Sequence, residues 1–246
     1  MKTLYLAWQD RLGSRAWFPV GLLEVNPERS GYEFAYTRGA QQAKDSVGFQ
    51  PFPSFPELSR RYISQELFPL FTNRLLGRSR EEFSRYIKWL GLSTDNPDPM
   101  EILAVTGGER QTDSIEIFPK IVASPNGSFQ CRFFLHGLRH AAKHAQDRAQ
   151  ALREGEALRI AIEVNNPATG FAVQLQSDDY VMLGWLPRYL VEDIKRVAVD
   201  TADVIATVIR VNSSPAPKSK QFLIELSGRL PKDFSPMDSD VFQPLG

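Results

Sequence analysis

ALRIAIEVNNPATGFAVQLQSDDYVMLGWLPRYL, residues 157–190, decides how this chain folds. Ala157–Val164, Phe171–Gln176 and Tyr180–Trp185 are rich in β-branched and aliphatic residues, and polar turn residues separate them: Asn165-Asn166-Pro167 first, then Ser177-Asp178-Asp179. A strand presents alternate residues to one face and ends where turn formers gather, so this spacing predicts three short strands. Pro187 then occupies the first turn of a helix over Arg188–Val197, where its missing N–H costs nothing. Upstream, Gln130–Leu138 reads as a strand and Ala141–Arg153 as a helix. Downstream, Asp203–Val211 and Gln221–Leu226 read as a strand pair around Ser213-Ser214-Pro215-Ala216-Pro217. Many short strands and few long helices are the pattern of a small β-barrel.

The N-terminal half reads differently. Thr3–Trp8, Trp17–Val25 and Gly31–Thr37 predict a β-meander, with turns at Asn26-Pro27 and Ser30-Gly31. Gly48–Pro56 interleaves Pro51, Pro53 and Pro56 with Phe49, Phe52 and Phe55, which favours an extended strap that serves either as core cover or as a partner surface. Helices are expected over Glu66–Leu76, over the run after the Ser79/Glu82 capping box up to Gly91, and from Asp98 to before Gly107-Gly108. Ser114–Val122 reads as a further strand. Ala123–Ser128 has turn composition and no apolar period, which places a domain boundary there: an α+β domain over 1–124, a barrel over 125–230, and a loosely ordered, proline-rich acidic tail over 231–246.

Composition narrows the function. Twenty-nine Lys plus Arg balance twenty-nine Asp plus Glu, so any contact with nucleic acid has to be local and not a property of bulk charge. The single cysteine, Cys131, forms no intramolecular disulfide and points to a reducing, cytoplasmic setting. No apolar run is long enough to span a membrane, and Gln9, Asp10 and Arg11 cut short the one N-terminal run that resembles a leader.

Phe133-Phe134-Leu135-His136-Gly137-Leu138-Arg139-His140, Gly155-Glu156-Ala157-Leu158, Asn165-Asn166-Pro167, Ala172-Val173 and Gly184-Trp185-Leu186-Pro187-Arg188-Tyr189 follow one another in the order and spacing of the HIRAN family. The C-terminal half, about residues 130–228, resembles that family. The resemblance implies an OB-like β-barrel that holds single-stranded DNA at a free 3′ end. It places ligand contacts at Arg139, His140, Asn166-Pro167 and Thr169, and Lys143, Trp185 and Arg188 complete the expected nucleic-acid-binding set. This chain departs from the family where an aromatic residue and an aspartate follow the Asn-Pro, carrying Ala168 and Thr169 there. A neutral hydroxyl in place of a carboxylate predicts weaker selection of a 3′ hydroxyl. Residues 15–120 resemble the N-terminal subdomain of HipA-type kinases. The residues that carry this are Val20-Gly21-Leu22-Leu23, Tyr32–Tyr36, Pro51–Pro56, Leu67–Phe71, Asn73-Arg74-Leu75, Leu90-Gly91-Leu92 and Ile102–Gly108.

His136, His140 and His144 are spaced by four and would share one face if the stretch were helical, a zinc-binding arrangement. Gly137 and the strand-like run before it favour a locally cationic surface instead, with no metal and no cofactor. From Arg132 to Arg148 there are four Lys or Arg residues against one acid. No phosphate-binding glycine loop, kinase catalytic loop or nucleophile elbow is present, so no enzymatic activity is expected. The resulting expectation is a non-catalytic nucleic-acid-binding adaptor. Its rival is a protein-interaction or antitoxin-like partner of a separately encoded HipA-type kinase.

Overall fold

The computed structural model describes residues 2–11, 13–26, 31–110, 112–167, 169–197 and 204–246. The expected turn at residues 27–30 and the Ala168 departure lie outside these. The chain divides into two compact units: Met1–Phe83 with Asn96–Lys120 and Met237–Gly246, and Ser84–Asp95 with Ile121–Pro236. Together they make a mixed α+β protein with two antiparallel sheets and, among the described residues, six α-helices.

In the first unit, strands β1 (Thr3–Gln9), β2 (Trp17–Asn26) and β3 (Gly31–Tyr36) form the predicted meander. Adding β4 (Tyr62–Ser64) and β5 (Ile115–Pro119) gives the order β4-β3-β2-β1-β5. Helix α1 (Arg38–Val47) packs on β2 through the small buried residues Gly39, Ala40 and Ala43. A Cβ on Gly39 would collide with the Pro19 carbonyl, so glycine sets how closely α1 approaches.

The phenylalanine strap belongs to the core. Phe49 and Phe55 are buried, Phe55 stacks on Phe34 with ring centres 4.1 Å apart, and Phe49 lies 5.1 Å from the Trp8 ring. The Tyr36 hydroxyl fixes the strap's backbone by accepting from Phe52 N at 2.7 Å and donating to Phe55 O at 2.8 Å. Burial pushes that phenol well above its ordinary range, so it stays a donor.

Two expectations for this unit are corrected. The helix over 66–76 shrinks to one turn, α2 (Pro69–Thr72). The chain turns away afterwards because the buried Arg74 guanidinium binds Asp113 Oδ2 at 2.6 Å and Gly108 O at 2.8 Å. The tail is not loose over 237–246. Met237 is buried, Phe242 meets Tyr5 edge-on at 4.9 Å, Arg38 N donates to Gln243 O, and Leu245 N donates to Tyr36 O at 2.8 Å. Its prolines and acids flank apolar anchors that bury well. Helix α3 (Phe83–Trp89) leads into the second unit, and α4 (Pro99–Thr106) starts as expected, with Asp98 Oδ1 capping Met100 N at 2.8 Å.

The second unit carries β6 (Ser128–Phe134), α5 (Lys143–Gln150), β7 (Ala157–Asn166), β8 (Gly170–Gln176), β9 (Met182–Trp185), α6 (Arg188–Val197), β10 (Ile205–Val211) and β11 (Phe222–Arg229). Its sheet runs β6-β11-β10-β7-β8-β9. Among the described residues no ladder of hydrogen bonds closes the sheet. Its two ends meet at one bridge just beyond β6, where Trp185 N donates to His136 O at 3.0 Å. Leu158, Val173, Leu175, Ala206, Val208, Ile224 and Leu226 fill its interior. Arg148 of α5 ties the β8–β9 turn down, binding Glu156, Asp178 and Asp179 at 2.7, 3.0 and 3.0 Å.

Candidate nucleic-acid interface

The site forms where the ends of the second sheet meet. Gly137 follows the bridging residue His136 with φ +78°, a backbone state that side chains disfavour. A Cβ there would drive into the Trp185 ring, so the missing side chain lets the indole lie against the backbone. From Gly137 the chain enters a short 3-10 turn, Leu138–His140, which exposes Arg139 and His140. Arg139 Nε donates to His140 Nε2 at 2.9 Å, a contact that requires that ring nitrogen to be unprotonated.

Glu163, on β7, organises the polar part. Its Oε2 accepts from the Trp185 indole Nε1 at 2.9 Å and from Asn166 Nδ2 at 3.1 Å. Asn166 Oδ1 in turn lies 3.0 Å from Thr169 Oγ1, whose other neighbour is Phe171 O at 2.9 Å. The indole N–H, then the Asn166 and Gln174 amides, hold the Glu163 carboxyl below the usual carboxylate range. Neutral donors thus stabilise a negative charge at the centre of the cluster.

Of the residues expected from sequence, Asn166, Thr169 and Trp185 are brought into this one network, and Arg139 and His140 stand beside it through Gly137. Lys143 instead opens α5 and pairs with Asp147, and Arg188 is exposed at the start of α6. The three histidines fall on a bridge, a 3-10 turn and a helix, so they do not share a helical face, and no metal-holding cluster occurs among the described residues. Glu163 and Gln174 are the residues that the sequence reading missed. Cys131 is buried, its thiol pushed up to about 12 by burial, with the Tyr189 side chain as hydrogen-bond partner. A thiol so held is no nucleophile.

No protein-family model matches the chain, and no curated protein matches it. Among solved structures it is similar to the crystal structure of the HIRAN domain of human HLTF, at 14% identity over 43% of this chain and 84% of that one, with a TM-score of 0.32. The HipA resemblance and a kinase partner find no support in these comparisons. No helix among the described residues is long and apolar enough to cross a membrane.

Proposed function

We propose that the second unit is a non-catalytic module that binds single-stranded DNA or DNA ends, and that the chain acts as an adaptor through it. The observation that carries this reading is the Trp185–Glu163–Asn166–Thr169 network with Arg139 beside it. An aromatic face, a hydrogen-bonding centre and an exposed guanidinium are what a stacked base, a sugar and a phosphate require. The carboxylate that the HIRAN resemblance leads one to expect after the Asn-Pro is missing at Thr169. Glu163, held against Asn166, offers a charged acceptor for a terminal sugar hydroxyl in its place. An OB-like topology for the sheet is part of the same reading.

The test is a titration of labelled single-stranded, duplex and recessed-end DNA at low salt, with turnover of ATP and DNA followed in the same samples. Single strands should bind best and no turnover should appear. Arg139→Ala should cost on the order of 1 to 3 kcal/mol in binding and flatten the salt dependence. Full-strength binding by a folded Arg139→Ala variant would remove this site from consideration and favour the protein-interaction reading. Metal-dependent turnover lost with one carboxylate would overturn the non-catalytic reading.

A further inference from the structure

A second cationic surface lies on the same unit, in residues to which the site above assigns no part. Residues 84–95, though they come from the N-terminal half of the sequence, pack with the β10–β11 hairpin. The anchor is the buried Asn212, whose Nδ2 donates to Trp89 O at 2.9 Å and to Lys220 O at 2.7 Å. One amide thereby joins the end of α3 to the short 3-10 turn Lys218–Lys220. Gly91 makes the fit possible: its φ is +66°, and a Cβ there would stand 3.2 Å from Leu223 and 3.9 Å from Arg210 Nε.

Cations collect around this joint. Arg85 lies over the Trp89 ring at 5.7 Å, Lys88 and Lys218 are exposed, and Lys220 Nζ lies 4.6 Å from the centre of the Phe134 ring. Arg210 contributes another, its buried Nε without a hydrogen-bond partner among the described residues. Two acids of the unit are held by other groups: Glu225 by Arg132 at 2.8 Å, and Glu154 as acceptor for Val211 N at 3.2 Å.

The position of this surface gives it meaning. Arg132, Phe134 and His136 alternate onto one side of the chain along β6 and its extension, and His136 is the residue bridged to Trp185. Two residues of strand, about 7 Å, therefore separate the Trp185 end from the Lys220 end. Because Lys220 caps Phe134, this stretch offers positive charge and not a stacking face. We infer that Lys88, Lys218 and Lys220 form a phosphate track that continues the Trp185 site, so that a bound strand runs from Trp185 over β6 toward residues 84–95. This rests on the proposed single-strand-binding function and assigns it a direction and a footprint.

The experiment compares oligothymidines of about 4 and about 12 nucleotides, the span over which single-strand sites of this size operate. The full chain is set beside a variant with Lys88→Gln, Lys218→Gln and Lys220→Gln, checked by circular dichroism. For the longer strand, the triple variant should bind about tenfold more weakly and lose about two from the slope of log affinity against log salt, while the short strand changes less than about twofold. Should the Lys220 change disturb Phe134 and the fold, Lys88→Glu with Lys218→Glu alters exposed residues only and should weaken long-strand binding in the same sense. If the full chain binds both strands and neither variant affects the longer one, the track is refuted and the Trp185 site stands. If the full chain binds neither strand, both readings fall.

Discussion

The two units solve the problem of holding a small sheet together in different ways. In the first, rings do it: Phe34, Tyr36, Phe49, Phe55, Phe71 and Trp8 gather under β1–β3, and the polar tie among them is the Tyr36 hydroxyl on the strap. In the second, the aliphatic interior is ordinary and the distinctive ties are polar and peripheral: Glu163 with Trp185 and Asn166, Arg148 with three carboxylates, Asn212 with two carbonyls. Burial of apolar surface is non-directional and shuts water out, whereas peripheral hydrogen bonds keep specific groups aimed at the surface. The first arrangement builds a scaffold; the second leaves chemistry where a ligand can reach it.

The sharpest way to break this contrast is to truncate a ring. Phe55→Ala removes a buried side chain stacked on Phe34 and should cost about 3 to 5 kcal/mol in the first unit. Denaturant unfolding should show an earlier transition for that unit, while oligonucleotide binding under native conditions persists. Simultaneous loss of binding would show that the aromatic core supports the site as well.

A smaller effect is expected at the joint of the second sheet. Gly137→Ala puts a Cβ on a left-handed residue and against Trp185, a strain of about 1 to 3 kcal/mol. Its near-ultraviolet circular dichroism should change as the indole is displaced, and strand binding should weaken with it. An unchanged spectrum with unchanged binding would mean that Trp185 does not need the glycine.

The smallest effect is the most diagnostic. Glu163 has a depressed carboxyl in the fold, so its contribution to stability is complete above the unfolded-chain value of about 4.3 and is lost as pH falls through the lower folded value. Glu163→Gln keeps the shape but not the charge. The full chain should melt slightly higher than this variant at neutral pH, and the two should converge well below about pH 4. A constant difference across that range would mean that the charge is not what holds Trp185 and Asn166.

Much of this was readable beforehand where alternation is strong. The strands of 157–185 and the helix 188–197 lie within two residues of their expected bounds. Helix α1 was missed because it buries Gly39, Ala40 and Ala43, which are too small to write an apolar period. The order within the tail was missed because Met237, Phe242 and Leu245 are sparse among prolines and acids. In the site, the glycine and tryptophan were legible as residues but their contact was not. Glu163 looked like any outward-facing strand residue, since its contact with Trp185 depends on the β7–β8–β9 register, which sets Trp185 opposite Gln174 on the same face.

The way in which the units share the chain bears on how the protein is made. A ribosome delivers residues in order, and domains generally fold as they emerge. Here residues 237–246, which supply Phe242 against Tyr5 and the Leu245 bond to Tyr36, emerge only after residues 121–236 have been synthesised. Until then Tyr5 lacks its Phe242 partner and the Tyr36 carbonyl its Leu245 donor. Residues 84–95, by contrast, are ready long before the hairpin they pack against. The second unit can therefore mature while the first is still incomplete, which makes the unit translated first the last to finish.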